Sequence, residues 1–213
     1  ELPQDTSTSP ETSDSASAPP SVLLPTCGSG VVQTATQSPL PKSTPPEGFT
    51  PWDGVGWSSV TSLIIDLHNG ALEAMVANAA SVGYVICRGE GPESELVLLT
   101  PALPNTGHAR AVWRLGGARA LVLEAPHPLF DKDTAIEAAT IFEETQARGL
   151  IVSGIHRCVS DTPSGCDGQT KVCTGASAPY PLTDMAHVTE SYFQAFHEAF
   201  EAGLEHVAAT SPS

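Results

Sequence analysis

Basic side chains are scarce in this chain. Lys and Arg total 9 among 213 residues, against 24 Asp and Glu, which gives a formal net charge of −15. A surface of this sign repels phosphate backbones and anionic lipid headgroups. The composition therefore argues against nucleic acid as a partner, and a solubilising acidic surface is the plain explanation of the charge.

Long apolar runs are also lacking. No stretch approaches the roughly 20 apolar residues that a membrane-spanning helix needs, and the longest runs, Leu96–Leu99 and Ala120–Leu123, have the length of strands. We therefore expect no membrane span. The first residues lack a basic segment followed by an apolar one, so we also expect no signal peptide within this chain.

The first fifty residues are poor in aromatic and branched apolar side chains. Ser, Thr, Pro and acidic residues dominate there, and no Lys or Arg precedes Lys42. Such a segment cannot offset the entropy that it would lose on ordering. We predict a disordered tail over residues 1–50, a single α/β domain over 51–206 and a flexible end over 207–213.

The five cysteines contain no C-x-x-C pair of the kind that holds zinc. Cys158, Cys166 and Cys173 share a stretch rich in turn-forming residues, where a disulfide would remove loop entropy worth about 3 kcal/mol. Which of the three pair stays open. A disulfide predicts an oxidising compartment, and hence a secreted, cell-surface or periplasmic protein. Cys87 lies in an apolar strand pattern and is predicted to be a buried thiol.

The pattern from Ser58 onward predicts an α/β domain. Strands are expected at Ser62–Leu67, Gly83–Arg88, Glu95–Thr100, Ala109–Leu115, Arg119–Ala125 and Leu150–Ile155. Helices are expected at Ala71–Ala80, from Thr134 to about Arg148, where Gly149 ends the helix, and at Thr183–Leu204. The strand–helix–strand order from Arg119 to Ile155 makes the two flanking strands parallel neighbours. The predicted fold is a mixed, largely parallel sheet with flanking helices, preceded by the tail.

Histidines follow two of these strands. His127 comes after Arg119–Ala125, with Asp131 four residues further on, and His156 with Arg157 follows the last strand. Ligands gather beyond the carboxyl ends of parallel strands, so these side chains could share one cleft. Plainer interpretations remain open: a hydrogen-bonded loop histidine, an aspartate that caps a turn, and a surface pair of His156 and Arg157.

Imidazole and carboxylate groups are normal ligands of zinc, whose catalytic sites use three protein groups and a water. The candidate ligands are His127, Asp131 and His187, the last of which lies near the start of the final predicted helix. The alternative interpretation is that His187 is a solvated side chain.

Three further side chains are candidates for direct contact with a substrate. Arg157 is suited to holding a substrate carboxylate through a forked pair of hydrogen bonds, and His156 lies beside it. Glu124, near the end of its strand, is the nearest candidate for a general base.

These same residues carry a family resemblance. Residues 123–131, LEAPHPLFD, and residues 153–157, SGIHR, resemble the zinc-dependent N-formylglutamate amidohydrolase and poly-γ-glutamate hydrolase group. The resemblance implies a carboxypeptidase/phosphorylase-like α/β fold, a zinc ion held by His127 and Asp131, and cleavage of an amide bond next to a carboxylate. The family's first pair is usually His-x-x-Glu, whereas Asp131 follows His127 by four residues. A histidine on a later strand normally completes that zinc site, and His187 is the substitute candidate here.

Three functions are therefore open. One is a secreted metal-dependent hydrolase acting on an amide bond of a small molecule or peptide. Another is a non-catalytic extracellular binding or interaction module with an incomplete site, and the third is a disulfide-stabilised structural protein. The hydrolase requires His127, Asp131 and a third ligand to lie within about 5 Å of one another.

Overall fold

The structure is a computed structural model and describes residues 24–37, 39, 57–69 and 71–210. Its strands are β1 (Thr26–Gly28), β2 (Tyr84–Gly89), β3 (Leu96–Pro101), β4 (Arg110–Arg114), β5 (Arg119–Ala125) and β6 (Ala147–Val152). Its α-helices are α1 (Val31–Thr36), α2 (Trp57–Asn69), α3 (Leu72–Ser81), α4 (Thr134–Thr145) and α5 (Tyr192–Thr210). The α/β class is confirmed. None of the helices in these ranges is long and apolar enough to cross a membrane.

The six strands form one sheet in the order β1-β2-β3-β4-β6-β5. Only the two outer pairs, β1–β2 and β6–β5, are parallel, and the three inner pairs are antiparallel. The sheet is mixed, as predicted, but the expectation that it is largely parallel is wrong. Short connections join β2, β3 and β4, and parallel pairing needs a crossover of about a dozen residues or more.

Helices cover both faces of the sheet, across which side chains alternate. On β4, Ala111 and Trp113 point into the core shared with α2, α3 and α5, whereas Val112 points into the core shared with α1 and α4. Trp113 is fully buried, and its ring meets Phe200 of α5 edge to face with centroids 4.9 Å apart. The loops at the sheet edges therefore start from a rigid frame.

Helix α2 replaces a predicted strand. Ser62–Leu67 lies inside α2, so the strand prediction is wrong. The buried residues of α2 are Val60, Leu63, Ile64 and Leu67. Their spacing of three and four residues places them on one helical face, which packs against α3 and α5. The short apolar run inside the segment concealed this helical period.

Part of the predicted tail belongs to the fold. Residues 24–37 form β1 and α1, and Cys27 is disulfide-bonded to Cys87 of β2. Cys87 is thus a half-cystine, not the expected buried thiol, because its partner lies 60 positions earlier in the chain. The remaining residues of the predicted tail, 1–23, 38 and 40–50, lie outside the described residues.

The strand–helix–strand unit is confirmed, since β5 and β6 are parallel neighbours joined by α4. Gly149 does not end the helix: it lies in β6, where an added Cβ would overlap the ring of Phe200. Helix α4 ends before Gln146, whose φ of 53° is left-handed. The unit places the carboxyl ends of β5 and β6 side by side.

The final helix starts later and ends later than expected. Residues 183–191 are irregular apart from one 3-10 turn, Met185–His187, and α5 begins at Tyr192. The helix continues to Thr210, past the expected domain end at residue 206. The irregular segment, and not a helix, therefore carries the side chains that reach the ends of β5 and β6.

Candidate active site

The turn after β5 folds Asp131 back onto His127. The backbone N–H groups of Phe130 and Asp131 both donate to the His127 carbonyl, at 3.1 and 3.0 Å. This tight turn brings the Asp131 carboxylate to 3.0 Å from Nδ1 of His127. The His127 side chain is 8% exposed and that of Asp131 is 47% exposed. The pair therefore reaches from the protein interior to the surface.

The segment after β6 stays beside this turn. The Ser153 N–H donates to the Ala125 carbonyl at 3.0 Å, which continues the β5–β6 pairing by one bond. Gly154 then packs so closely on the chain before β4 that a Cβ would overlap the carbonyl oxygen of His108. The chain next passes through His156 to Arg157, which is buried.

Asp184 joins these two segments. Its side chain is fully buried, and Oδ1 lies 2.6 Å from Nε2 of His127 and 3.2 Å from Nδ1 of His187. The Arg157 guanidinium donates to Oδ2. We call Asp184, His127, Arg157 and His187 the Asp184 cluster. Sequence reasoning missed Asp184, whose local signal, a position three residues before His187, does not show that it meets His127 and Arg157.

The Asp184 carboxyl is ionised. Burial by itself would raise its pKa, but hydrogen bonds from His127, Arg157 and His187 outweigh that effect and lower the pKa from 3.8 to about 2. A buried carboxylate of this kind is stable only while its partners remain in place.

His127 lies between two carboxylates. Nε2 faces Asp184 and Nδ1 faces Asp131. A ring nitrogen can donate to a carboxylate only when it carries a hydrogen, so donation to both requires the doubly protonated imidazole. In that form the two cations, His127 and Arg157, balance the two anions. One of these anions, Asp131, is half exposed, so Asp184 is the buried anion between the two cations.

His187 occupies a different position in the cluster. Its side chain is 33% exposed, and its ring stacks on Tyr180 with centroids 3.7 Å apart and planes 6° from parallel. Nδ1 faces the Asp184 carboxylate, so the neutral tautomer that donates to Asp184 has its hydrogen on Nδ1 and its lone pair on Nε2. Tyr180 and Asp184 thus fix both the plane and the tautomer of a partly exposed imidazole.

Of the other predicted site residues, Arg157 contacts Asp184 and His156 contacts Phe130. The Arg157 guanidinium contacts Asp184 and lies 5.2 Å from the ring centroid of Phe130, while its Nε–H has no hydrogen-bond partner among the described residues. His156 accepts the Cys158 N–H at Nδ1, at 3.0 Å, and its ring meets Phe130 edge to face.

Glu124, the predicted general base, contacts none of the Asp184 cluster in the hydrogen bonds of the described chain. Its carboxylate lies 2.7 Å from Nδ1 of His197 on α5. That hydrogen bond is the main reason that the pKa of His197 is raised above 6.5. Alternation along β5 sends Glu124 to the α5 face of the sheet.

The residues as placed do not fit the zinc ion that the resemblance implies. Zinc bonds of about 2.0–2.2 Å put two tetrahedral ligand atoms roughly 3.3 Å apart. Nδ1 of His127 lies 3.0 Å from the Asp131 carboxylate and Nε2 lies 2.6 Å from the Asp184 carboxylate, so both ring nitrogens are at hydrogen-bond distance from carboxylates. Within the described ranges, no group of three or more His, Cys, Asp or Glu side chains is arranged to hold a metal ion.

A disulfide holds the long loop before Asp184. Cys158 is bonded to Cys173, as expected for a bridge within this loop, and Cys166 is an exposed free thiol. Thr183 adds a second tie, because its hydroxyl donates to the Arg157 carbonyl at 2.8 Å. The loop therefore returns beside its own starting point and delivers Asp184 next to Arg157. Two disulfides are consistent with an extracytoplasmic location.

Comparisons of the chain with protein-family models, with curated proteins and with solved structures find no match.

Proposed function

We propose that this protein is an extracytoplasmic hydrolase that cleaves an amide bond, with His187 as the general base. The observation that carries the proposal is the pairing of a buried, ionised carboxylate with Nδ1 of a partly exposed imidazole. In the neutral tautomer this arrangement leaves Nε2 of a partly exposed ring as a proton acceptor, and it stabilises the cation that forms when Nε2 accepts a proton. The two disulfides favour a secreted, cell-surface or periplasmic protein.

The reaction would run through a proton carried by His187. Nε2 removes a proton from a water molecule as the water oxygen bonds to the amide carbon. The carbon–nitrogen bond then breaks, and the imidazolium returns the proton to the leaving nitrogen. The products are a carboxylic acid and an amine, and His187 is neutral again. Asp184 is a positioning residue here, and Arg157 and His127 keep it ionised.

The surroundings favour a substrate with an apolar group near the amide, in a small molecule or a peptide. Leu129 and Phe130 are 41% and 39% exposed, and the Phe130 ring packs over Arg157. Apolar surface beside a polar cluster is typical of small-molecule sites. The Nε–H of Arg157 lacks a partner among the described residues and is buried, so a substrate carbonyl or carboxylate could accept from it only if neighbouring side chains move.

The test is hydrolysis of a panel of N-acyl amino acid amides and peptide p-nitroanilides by the full chain. We expect His187→Gln to lower kcat by about 10²–10⁴-fold, the usual contribution of a general base. The matched control is His197→Gln, which changes a surface histidine whose partner is Glu124. Equal turnover by the two variants, or hydrolysis of no member of the panel by the wild type, would contradict the proposal.

Zinc dependence, which only the family resemblance implies, is a separate hypothesis. It requires one ring nitrogen of His127 to leave the carboxylate that it now faces, which is Asp131 at 3.0 Å or Asp184 at 2.6 Å. The measurement is the metal content of the purified chain, with and without His127→Ala. One zinc per chain that is lost in the variant would support it, and no zinc in either protein would leave the metal-independent reaction.

A non-catalytic binding or interaction module is the alternative, and one observation favours it. The side chains of His127, Asp184 and Arg157 are at most 10% exposed and contact one another, as a purely structural connection between loop and sheet would require. Under this alternative, Asp184→Asn destabilises the fold while His187→Gln changes no measured property.

A further inference from the structure

Strand β5 lies at an edge of the sheet. It pairs with β6 on one side, and no other strand of the described chain pairs with it on the other. Its first three residues, Arg119, Ala120 and Leu121, are exposed. An unpaired strand offers a row of backbone N–H and C=O groups to another extended chain.

The direction of the free backbone groups follows from the pairing with β6. The Ser153 N–H donates to the Ala125 carbonyl, so the backbone groups of Ala125 face β6. Successive residues of a strand turn these groups to opposite sides, and the register from Val122 to Ala125 is regular. The N–H and C=O groups of Val122 and Glu124 therefore point outward, where no described strand lies.

A groove runs between this edge and helix α5. It has a volume of about 400 Å³, and its lining residues are Val122, Leu123, Glu124, His197, Glu201 and Leu204. We call it the β5 groove. Its three apolar residues form a floor on which the aliphatic part of a side chain can pack. A strand added to β5 would send every second side chain to the α5 side of the sheet, where this groove lies.

The β5 groove is acidic. The Glu124 carboxylate is paired with His197 at 2.7 Å, whereas the salt bridges of the described chain do not include Glu201. An adjoining hollow shares His197 and Glu201 with the groove and adds Glu198 and Glu205. No Lys or Arg is among the described residues that line either one. The carboxylates therefore outnumber the single imidazole, and the groove attracts a cation even when His197 is protonated.

We propose that the edge of β5 binds an extended peptide segment that carries Lys or Arg side chains. The peptide adds a strand to the sheet by pairing with the outward backbone groups of Val122 and Glu124. One of its basic side chains lies in the β5 groove, with the aliphatic stem on the apolar floor and the cation at Glu201. This binding does not depend on the hydrolase reaction, since no residue of the Asp184 cluster lines the groove.

A second copy of this chain fits the edge less well. Its own β5 would bring one basic side chain, Arg119, and its Glu124, and each copy has a net charge of −15. Repulsion between two such acidic chains opposes their association, whereas a basic peptide is attracted.

Fluorescence anisotropy with the full chain and labelled heptapeptides, blocked at both ends, tests the proposal. One probe alternates Val and Lys, and its matched probe has Glu in place of each Lys. We expect the Lys probe to bind and the Glu probe not to bind.

Two further Lys probes test the backbone pairing. One carries N-methyl groups on its Val nitrogens, and the other carries them on its Lys nitrogens. Only one alternate set of N–H groups faces β5 in an added strand, so one of these probes should lose binding and the other should keep it. Equal binding by the two N-methylated probes would overturn the proposal, because it would show attraction by charge alone.

Glu201→Lys should weaken binding of the Lys probe by about tenfold, because an attraction becomes a repulsion. Glu201 is exposed, so the variant should keep its fold. The matched control is Glu73→Lys, which makes the same change of charge at an exposed position on α3, a helix that packs against β2. It should bind like the wild type, and equal weakening by both variants would overturn the proposal.

Two measurements on the wild type complete the test. The Lys probe should shift the amide NMR signals of Val122 and Glu124, and signals that stay unchanged would contradict pairing at this edge. Sedimentation of the chain without peptide should find no association through β5. A dimer that the Lys probe does not dissociate would assign the edge to a second copy and overturn the proposal.

Discussion

Replacing Asp184 with Asn is the sharpest perturbation that this structure allows. The substitution keeps the size and shape of the side chain and removes its charge. Its oxygens now accept from His127, His187 and Arg157, and its side chain is fully buried. The variant would leave the guanidinium and the imidazole of His127 buried beside a neutral amide.

The loss of folding stability in Asp184→Asn follows from this burial. Removing one partner of a buried ion pair destabilises a protein by about 3–5 kcal/mol, because the other charge is left uncompensated. The pKa of Asp184 gives a second figure: its fall from 3.8 to about 2 corresponds to about 2 kcal/mol at neutral pH. We therefore expect Asp184→Asn to lower the free energy of unfolding by about 2–5 kcal/mol.

Urea unfolding at neutral pH measures this loss, with Asp131→Asn as the control. Asp131 contacts the same His127 ring, but its side chain is 47% exposed, so its removal should cost less than about 1 kcal/mol. Because the folded pKa of Asp184 is depressed, its stabilisation is complete above 3.8 and is lost as pH falls towards 2. The difference between wild type and Asp184→Asn should shrink across that window.

Two results would refute this reasoning. One is an Asp184→Asn variant that is no less stable than Asp131→Asn. The other is a stability difference that stays constant as the pH falls from 3.8 towards 2. Either would show that Asp184 does not hold the cluster together as a buried anion.

Two further predictions concern the loop and the opposite face of the sheet. The double substitution Cys158→Ser with Cys173→Ser should lower the free energy of unfolding, measured in urea, by about 3 kcal/mol, because the bridge joins residues 15 apart. Cys166→Ser, which changes a free thiol, should alter the free energy of unfolding little. Equal stability of the two variants would argue against this prediction. Glu124→Gln should lower the pKa of His197 towards its ordinary 6.5, because the hydrogen bond to the Glu124 carboxylate is the main cause of the raised pKa. An NMR pH titration that finds the same pKa of His197 in the wild type and in Glu124→Gln would contradict this prediction.

Secondary structure was predictable where the local pattern was unambiguous. Arg119–Ala125 is a strand with the predicted bounds, and the helix from Thr134 was placed correctly at its start. The failure at Ser62–Leu67 arose because a run of four to six apolar residues fits a strand and a buried helical face equally well. Packing of α2 against α5 decides between the two.

Only part of the site was predictable from the sequence. His127 and Asp131 are close in sequence, and a turn that follows a strand can bring such neighbours together. Asp184 lies 57 residues from His127, and an aspartate in an irregular segment carries no local mark of burial. Its role became visible only when the loop closed by Cys158–Cys173 returned it to the sheet edge.

The amino-acid sequence by itself determined the net charge, the cysteine content, the class of the domain and the parallel pairing of β5 with β6. These features depend on composition and on contacts between neighbouring segments. Only the tertiary structure decided the antiparallel centre of the sheet, the Cys27–Cys87 bridge and the meeting of three segments at Asp184. Those features join residues far apart in the chain, and such contacts form only when both cores bury their apolar faces together.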